Sequence, residues 1–171
     1  MAVYEQAAAA FQAAMALAAS PGAPPSADRL ADCRFALAET LQSWGEAALA
    51  ECASLPDAQL SAAAEAAARS LAGRLFEQAV AHYRGVTEGG PGGSMRADAS
   101  CNCGNTLAAW AEALVEAQGA AGAAGAAGAL AAQAEGCYEL ALSKEEDAAV
   151  RVGRCAALMC IIATIEQPGL D

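Results

Sequence analysis

The chain has 171 residues, 56% of them hydrophobic but only 5% aromatic, and twenty acidic residues against nine Lys and Arg give a formal net charge of −11. That length suffices for a single domain, 1–171, although a core supplied so largely by alanine is thin. The negative surface repels phosphate backbones and anionic headgroups, which excludes nucleic acid, and no stretch approaches the roughly 20 uninterrupted apolar residues of a membrane span, so no membrane insertion is expected.

The first segment, 2–19, predicts a helix, and its start, Met1-Ala2-Val3-Tyr4-Glu5-Gln6, lacks the basic residues of a secretory or transit segment. Ser20-Pro21-Gly22-Ala23-Pro24-Pro25 closes it, because proline removes a backbone donor and disfavours helical geometry just before it. Ser26 and Asp28 are placed to cap a second helix, about 27–53. A third begins near Pro56-Asp57 and runs to about Arg84, ahead of the glycines between Gly85 and Gly93. A fourth covers about 95–118. The run from Gly119 to Gly128 has a three-residue glycine period without proline and predicts a flexible loop, 119–128. A fifth helix over 129–143 and a sixth over 145–165 follow, the last closed by Gln167-Pro168-Gly169.

Two repeats run through these elements. Tyr4-Glu5-Gln6-Ala7, Phe76-Glu77-Gln78-Ala79 and Tyr138-Glu139-Leu140-Ala141 each place an aromatic three residues ahead of an alanine. The stretch 31–44 aligns without gaps on 97–110, with identity at Ala31 and Ala97, Asp32 and Asp98, Thr40 and Thr106, Leu41 and Leu107, and Trp44 and Trp110. Two alternating helix types in tandem mark a helical-hairpin array, an architecture that serves binding or scaffolding.

The second-type helices carry a likeness to a known family. Ala134, Tyr138 and Ala141, and again Ala72, Phe76 and Ala79, have the spacing of alanine, aromatic and alanine found in the second helix of tetratricopeptide repeats, while Cys103-Gly104 with Leu107 and Val152-Gly153 resemble its first helix. The chain is thus similar to that family over nearly its whole length, with longer repeats, Leu37-Ala38 where leucine-glycine is usual, and no proline behind Tyr138. The resemblance implies an all-α, right-handed α-solenoid of about six antiparallel helices. It divides the chain into a half repeat 1–19, repeats 27–86 and 95–143, and a half repeat 145–166. Half repeats at both ends imply end-to-end stacking with other chains or a place within a longer array. Gly104 and Gly153 are expected where two backbones approach closely.

First-type helices line the concave groove in such solenoids, which makes Glu39, Asn102, Asn105, Arg151 and Arg154 the candidate partner contacts. The carboxylate clamp of some family members is not expected. Of its five positions, occupied here by Phe35, Glu39, Asn102, Val150 and Arg154, only Asn102 and Arg154 match, and Glu39 would repel a ligand carboxylate. Seven cysteines, an odd number at irregular spacing, fit free thiols in a reducing, intracellular and most simply cytoplasmic setting. Cys101 and Cys103 point about 200° apart on a regular helix and cannot chelate one metal together, so neither metal nor cofactor is expected. His82, the sole histidine, has no adjacent nucleophile and orienter, and no phosphate loop or paired-carboxylate motif occurs. Trp44 and Trp110 are expected as core anchors, with Glu46 and Glu112 facing solvent. The sequence therefore predicts a non-enzymatic module that binds a peptide or partner segment in a helical groove. The alternatives are a permanently incorporated scaffold subunit and, behind it, a redox or metal-handling protein using Cys101 and Cys103.

Overall fold

The computed structural model describes residues 2–20, 27–54, 61–89 and 94–143. These form five helices, and no strand occurs among them. The chain divides into two compact units, Met1–Pro91 and Gly92–Asp171. The predicted sixth helix, the half repeat 145–166, Gly153, Arg151 and Arg154 lie outside the described residues.

The first unit holds α1 (Ala2–Ala18), α2 (Ala27–Ser54) and α3 (Ala62–Gly89). Helix α2 is central: α1 packs on one side of it and α3 on another. It contributes a buried stripe of Ala31, Leu37, Ala38, Leu41, Gly45 and Ala48, and α3 answers with Ala72, Leu75, Phe76, Ala79, Val80, Tyr83 and Val86, at the three- and four-residue steps of one helical face. Helix α1 buries only Ala8. Its anchor is aromatic, the Tyr4 ring stacked on Trp44 with centroids 6.4 Å apart and planes 7° from parallel.

Ser61 sets the start of α3. Its hydroxyl accepts a hydrogen bond from the Ala64 amide at 3.2 Å, the N-cap arrangement, and the expected Pro56-Asp57 start lies outside the described residues. The helix then continues through Gly85 to Gly89, beyond the end expected near Arg84. The reason is tertiary. The Arg34 side chain crosses from α2 over Gly85, where a β-carbon would lie 3.3 Å from Arg34 Nη1, and Nη1 donates to the Gly85 carbonyl at 3.2 Å. Glycine costs a helix about 1 kcal/mol of propensity, which this packing offsets.

The second unit holds α4, residues 94–118, and α5, residues 120–142, with a single residue between them, Gly119. The flexible loop predicted for 119–128 is therefore corrected to helix. Its alanines form part of a packing face that continues down α5, with Ala123, Ala127, Leu130, Ala131, Ala134, Tyr138 and Ala141 all buried. The glycines fall off that face, and a β-carbon at Gly125 or Gly128 would meet nothing within 4 Å. Alanine propensity and burial of an i, i+4 stripe thus outweigh three dispersed glycines.

Gly119 alone makes the break, at φ 70° and ψ 159°, a region that residues with a β-carbon scarcely enter. Space is not the constraint, since nothing lies within 4 Å of a β-carbon there. Gly119→Ala is expected to destabilise the second unit by about 1–3 kcal/mol through backbone strain alone. Chemical denaturation checks this, with Gly125→Ala, whose glycine lies in regular helix with open space around it, as the neutral or stabilising control.

Candidate binding site

Each unit buries a tyrosine whose hydroxyl bonds to an amide oxygen of the neighbouring helix. In the second, Tyr138 of α5 is fully buried against Gly104 of α4, where a β-carbon would fall 2.5 Å from the ring, and its hydroxyl donates to Asn105 Oδ1 at 3.0 Å. In the first, Tyr83 of α3 is fully buried, meets Phe35 of α2 edge-on at 5.7 Å, and donates its hydroxyl to Gln42 Oε1 at 3.1 Å. The one glycine of α2, Gly45, lies under another aromatic of α3, 2.7 Å from a Phe76 ring carbon as measured from its would-be β-carbon. Thr40 and Thr106, paired by the sequence repeat, make the same local bond, each hydroxyl donating to the carbonyl four residues back at 2.8 Å.

Phe76 shares with Tyr138 a glycine beneath its ring, and Tyr83 shares with it a hydroxyl bonded to an amide of the neighbouring helix. Ala79, Tyr83 and Val86 have the spacing of Ala134, Tyr138 and Ala141, and all six are buried, so Tyr83 shares the hydroxyl role of Tyr138 that Phe76 has no atom to perform. Valine at 86 in place of the pattern's second alanine concealed this in the sequence. Gly104 makes room for a ring rather than for a second backbone.

The candidate contacts fare differently. Glu39 is exposed on α2, in the first unit, while Asn102 and Asn105 are half-buried on α4, in the second. Asn105 engages its side-chain oxygen with Tyr138 inside its own hairpin, and Asn102 lends its carbonyl to Thr106. Trp44 and Trp110 are half-buried rather than enclosed, and Trp44 Nε1 is buried without a hydrogen-bond partner. Glu46 and Glu112 are exposed. Cys101 and Cys103 are both buried on α4. Cys33, Cys52, Cys101, Cys103 and Cys137 are thiols outside any disulfide, and among the described residues no group of three or more His, Cys, Asp and Glu side chains could hold a metal ion. No described helix is long and apolar enough to cross a membrane.

A pocket of about 500 Å³ opens within the first unit, lined by Met15 of α1, Arg34 of α2, and Ala81, His82, Gly85, Glu88 and Gly89 of α3. No sequence signal could have singled it out, since its central contact joins positions 51 apart. The α3 residues lie on one face, at successive steps of three and four. Burial, and then the positive charge of Arg34, push the His82 imidazole below its ordinary pKa of 6.5, so it is neutral at pH 7. A histidine depressed in the fold binds fewer protons than in the unfolded chain, so stability is complete above pH 6.5 and is lost as pH falls from there through the folded value. Urea unfolding between pH 8 and pH 5 should show this decline, and His82→Gln should remove that part of it.

No protein-family model, curated protein or solved structure matches the chain.

Proposed function

We propose that the chain is a non-enzymatic protein-binding module, a right-handed, tetratricopeptide-like solenoid whose exposed helix faces take a partner segment. The observation that supports this reading is the recurrence in both units of one hairpin design: a threonine bonded to the preceding turn, a glycine under an aromatic ring, and a buried tyrosine bonded to an amide of the neighbouring helix. A fold assembled from repeated hairpins obtains its stability between neighbours and leaves long outer faces free to vary, which is how such arrays acquire binding surfaces.

Affinity capture with the full chain, followed by titration of the purified partner segment, tests this. Asn102→Ala combined with Arg154→Ala should weaken binding at least about tenfold, or 1.4 kcal/mol, with an unchanged helical signal. Asn105 is kept out of the test because its side chain holds the hairpin. Normal binding by the double variant, with loss on changing the opposite helix faces, would transfer the function to another surface.

A specific feature favours a second reading, a permanent structural subunit stacked end to end with neighbouring chains. Val3 and Leu17 on α1 are 76% and 71% exposed and lie fourteen residues, four turns, apart on the same side of the helix. A helix that buries one alanine and exposes large apolar residues fits a face covered by another chain. Light scattering decides between the two: a subunit should self-associate and become monomeric on Leu17→Glu, whereas a transient binder should be monomeric throughout.

A further inference from the structure

None of the candidate partner contacts is among the described residues that line the pocket of the first unit, and its chemistry is that of a small-molecule site. It is an open cleft of about 500 Å³, within the volume range of ligand sites, roughly 300–1,000 Å³, with Ala81, Glu88 and Gly89 exposed along its α3 side. Arg34 reaches it from α2 and is fixed in place, one guanidinium nitrogen bonded to the Gly85 carbonyl and the side chain accommodated by the missing β-carbon of that glycine. Glu88 lies three residues further along α3, one turn or about 5 Å towards the helix end. Among the described residues no ion pair joins Arg34 to Glu88, so each charge is available to a ligand. The C-terminal end of α3 adds partial negative charge beside Glu88. Met15 and Ala81 supply apolar wall, and His82 contributes a neutral polar edge.

The pocket therefore presents one positive and one negative side chain, Arg34 from α2 and Glu88 from α3, with an apolar flank. We propose that it binds a free α-amino acid with an apolar side chain, its carboxylate on Arg34, its ammonium on Glu88 and its side chain against Met15 and Ala81. Guanidinium and carboxylate form charge-assisted hydrogen bonds stronger than neutral ones, and a zwitterion satisfies both centres while a singly charged molecule leaves one unmatched. The fixed Arg34 is preorganised, so little rotamer freedom is lost on binding.

The test is a titration of the isotope-labelled full chain, followed by backbone amide shifts at pH 7, with L-leucine, N-acetyl-leucine, which lacks the ammonium, and leucinamide, which lacks the carboxylate. Leucine should give saturable shifts centred on Arg34, His82, Gly85 and Gly89, with each single-charge analogue about tenfold weaker or more. Arg34→Gln should abolish leucine binding. Glu88→Gln, an exposed position whose change leaves the fold intact, should remove the preference for leucine over N-acetyl-leucine while retaining preference over leucinamide. Absence of saturable shifts, equal binding of the three compounds, or Glu88→Gln indistinguishable from the parent chain would overturn the proposal. None of these outcomes bears on partner capture, so the protein-binding reading stands or falls separately.

Discussion

Replacing Tyr138 by alanine is expected to lower the stability of the second unit by about 3–5 kcal/mol, the cost of emptying a fully enclosed aromatic site. Tyr138 is fully buried, occupies the space over Gly104, and bonds to Asn105, so its loss removes packing from both helices of the hairpin. Tyr138→Phe should cost about 1 kcal/mol, because it deletes the hydroxyl while the ring stays in place. The complementary change is Gly104→Ala. Three Tyr138 ring atoms lie 2.5–2.8 Å from the new methyl position, too close for any real carbon, so the ring or the helix must shift at about 1–3 kcal/mol. Combined, Gly104→Ala with Tyr138→Ala should cost clearly less than the sum, since the methyl then enters the space the ring has left. Full additivity in denaturant unfolding would show that the glycine and the ring do not share that space.

Trp44→Ala is expected to release α1. The residue is half-buried, so the loss should be about 2–3 kcal/mol, below the value for an enclosed aromatic. Its effect concentrates on one helix, because α1 otherwise buries only Ala8 and depends on the Tyr4 ring stacked on the indole. Amide hydrogen exchange should accelerate over residues 2–18 while α3, held to α2 by its own long stripe, stays protected. Trp44→Phe separates packing from polarity. It keeps an aromatic for Tyr4 and deletes Nε1, a buried donor with no partner whose desolvation already costs about 1–3 kcal/mol, so it should be nearly neutral. A phenylalanine variant as unstable as the alanine one would mean that the indole is held by more than the stack.

The amino-acid sequence by itself determined the all-helical class and the order of the elements, because alanine-rich periodic segments between proline and glycine clusters leave helix as the only regular structure available. It also determined the repeat: the gapless match of 31–44 to 97–110 marks Leu41 and Leu107 as buried counterparts, and Thr40 and Thr106 as residues making one and the same bond. Local pattern failed wherever a residue's state depended on a distant neighbour. The Gly119–Gly128 run reads as loop from its glycines, yet becomes helix because Ala123 and Ala127 extend a face that is buried, leaving the turn to Gly119 alone. Gly85 reads as a helix stop and is instead the seat of Arg34. Tyr83 bonds to Gln42 across α3 and α2, as Tyr138 bonds to Asn105 across α5 and α4, and neither bond has a local signal in the sequence. The pocket too is a product of tertiary packing, since three helices bring Met15, Arg34 and Glu88 together across 73 positions of chain, and no local preference encodes a contact whose partner lies on another helix.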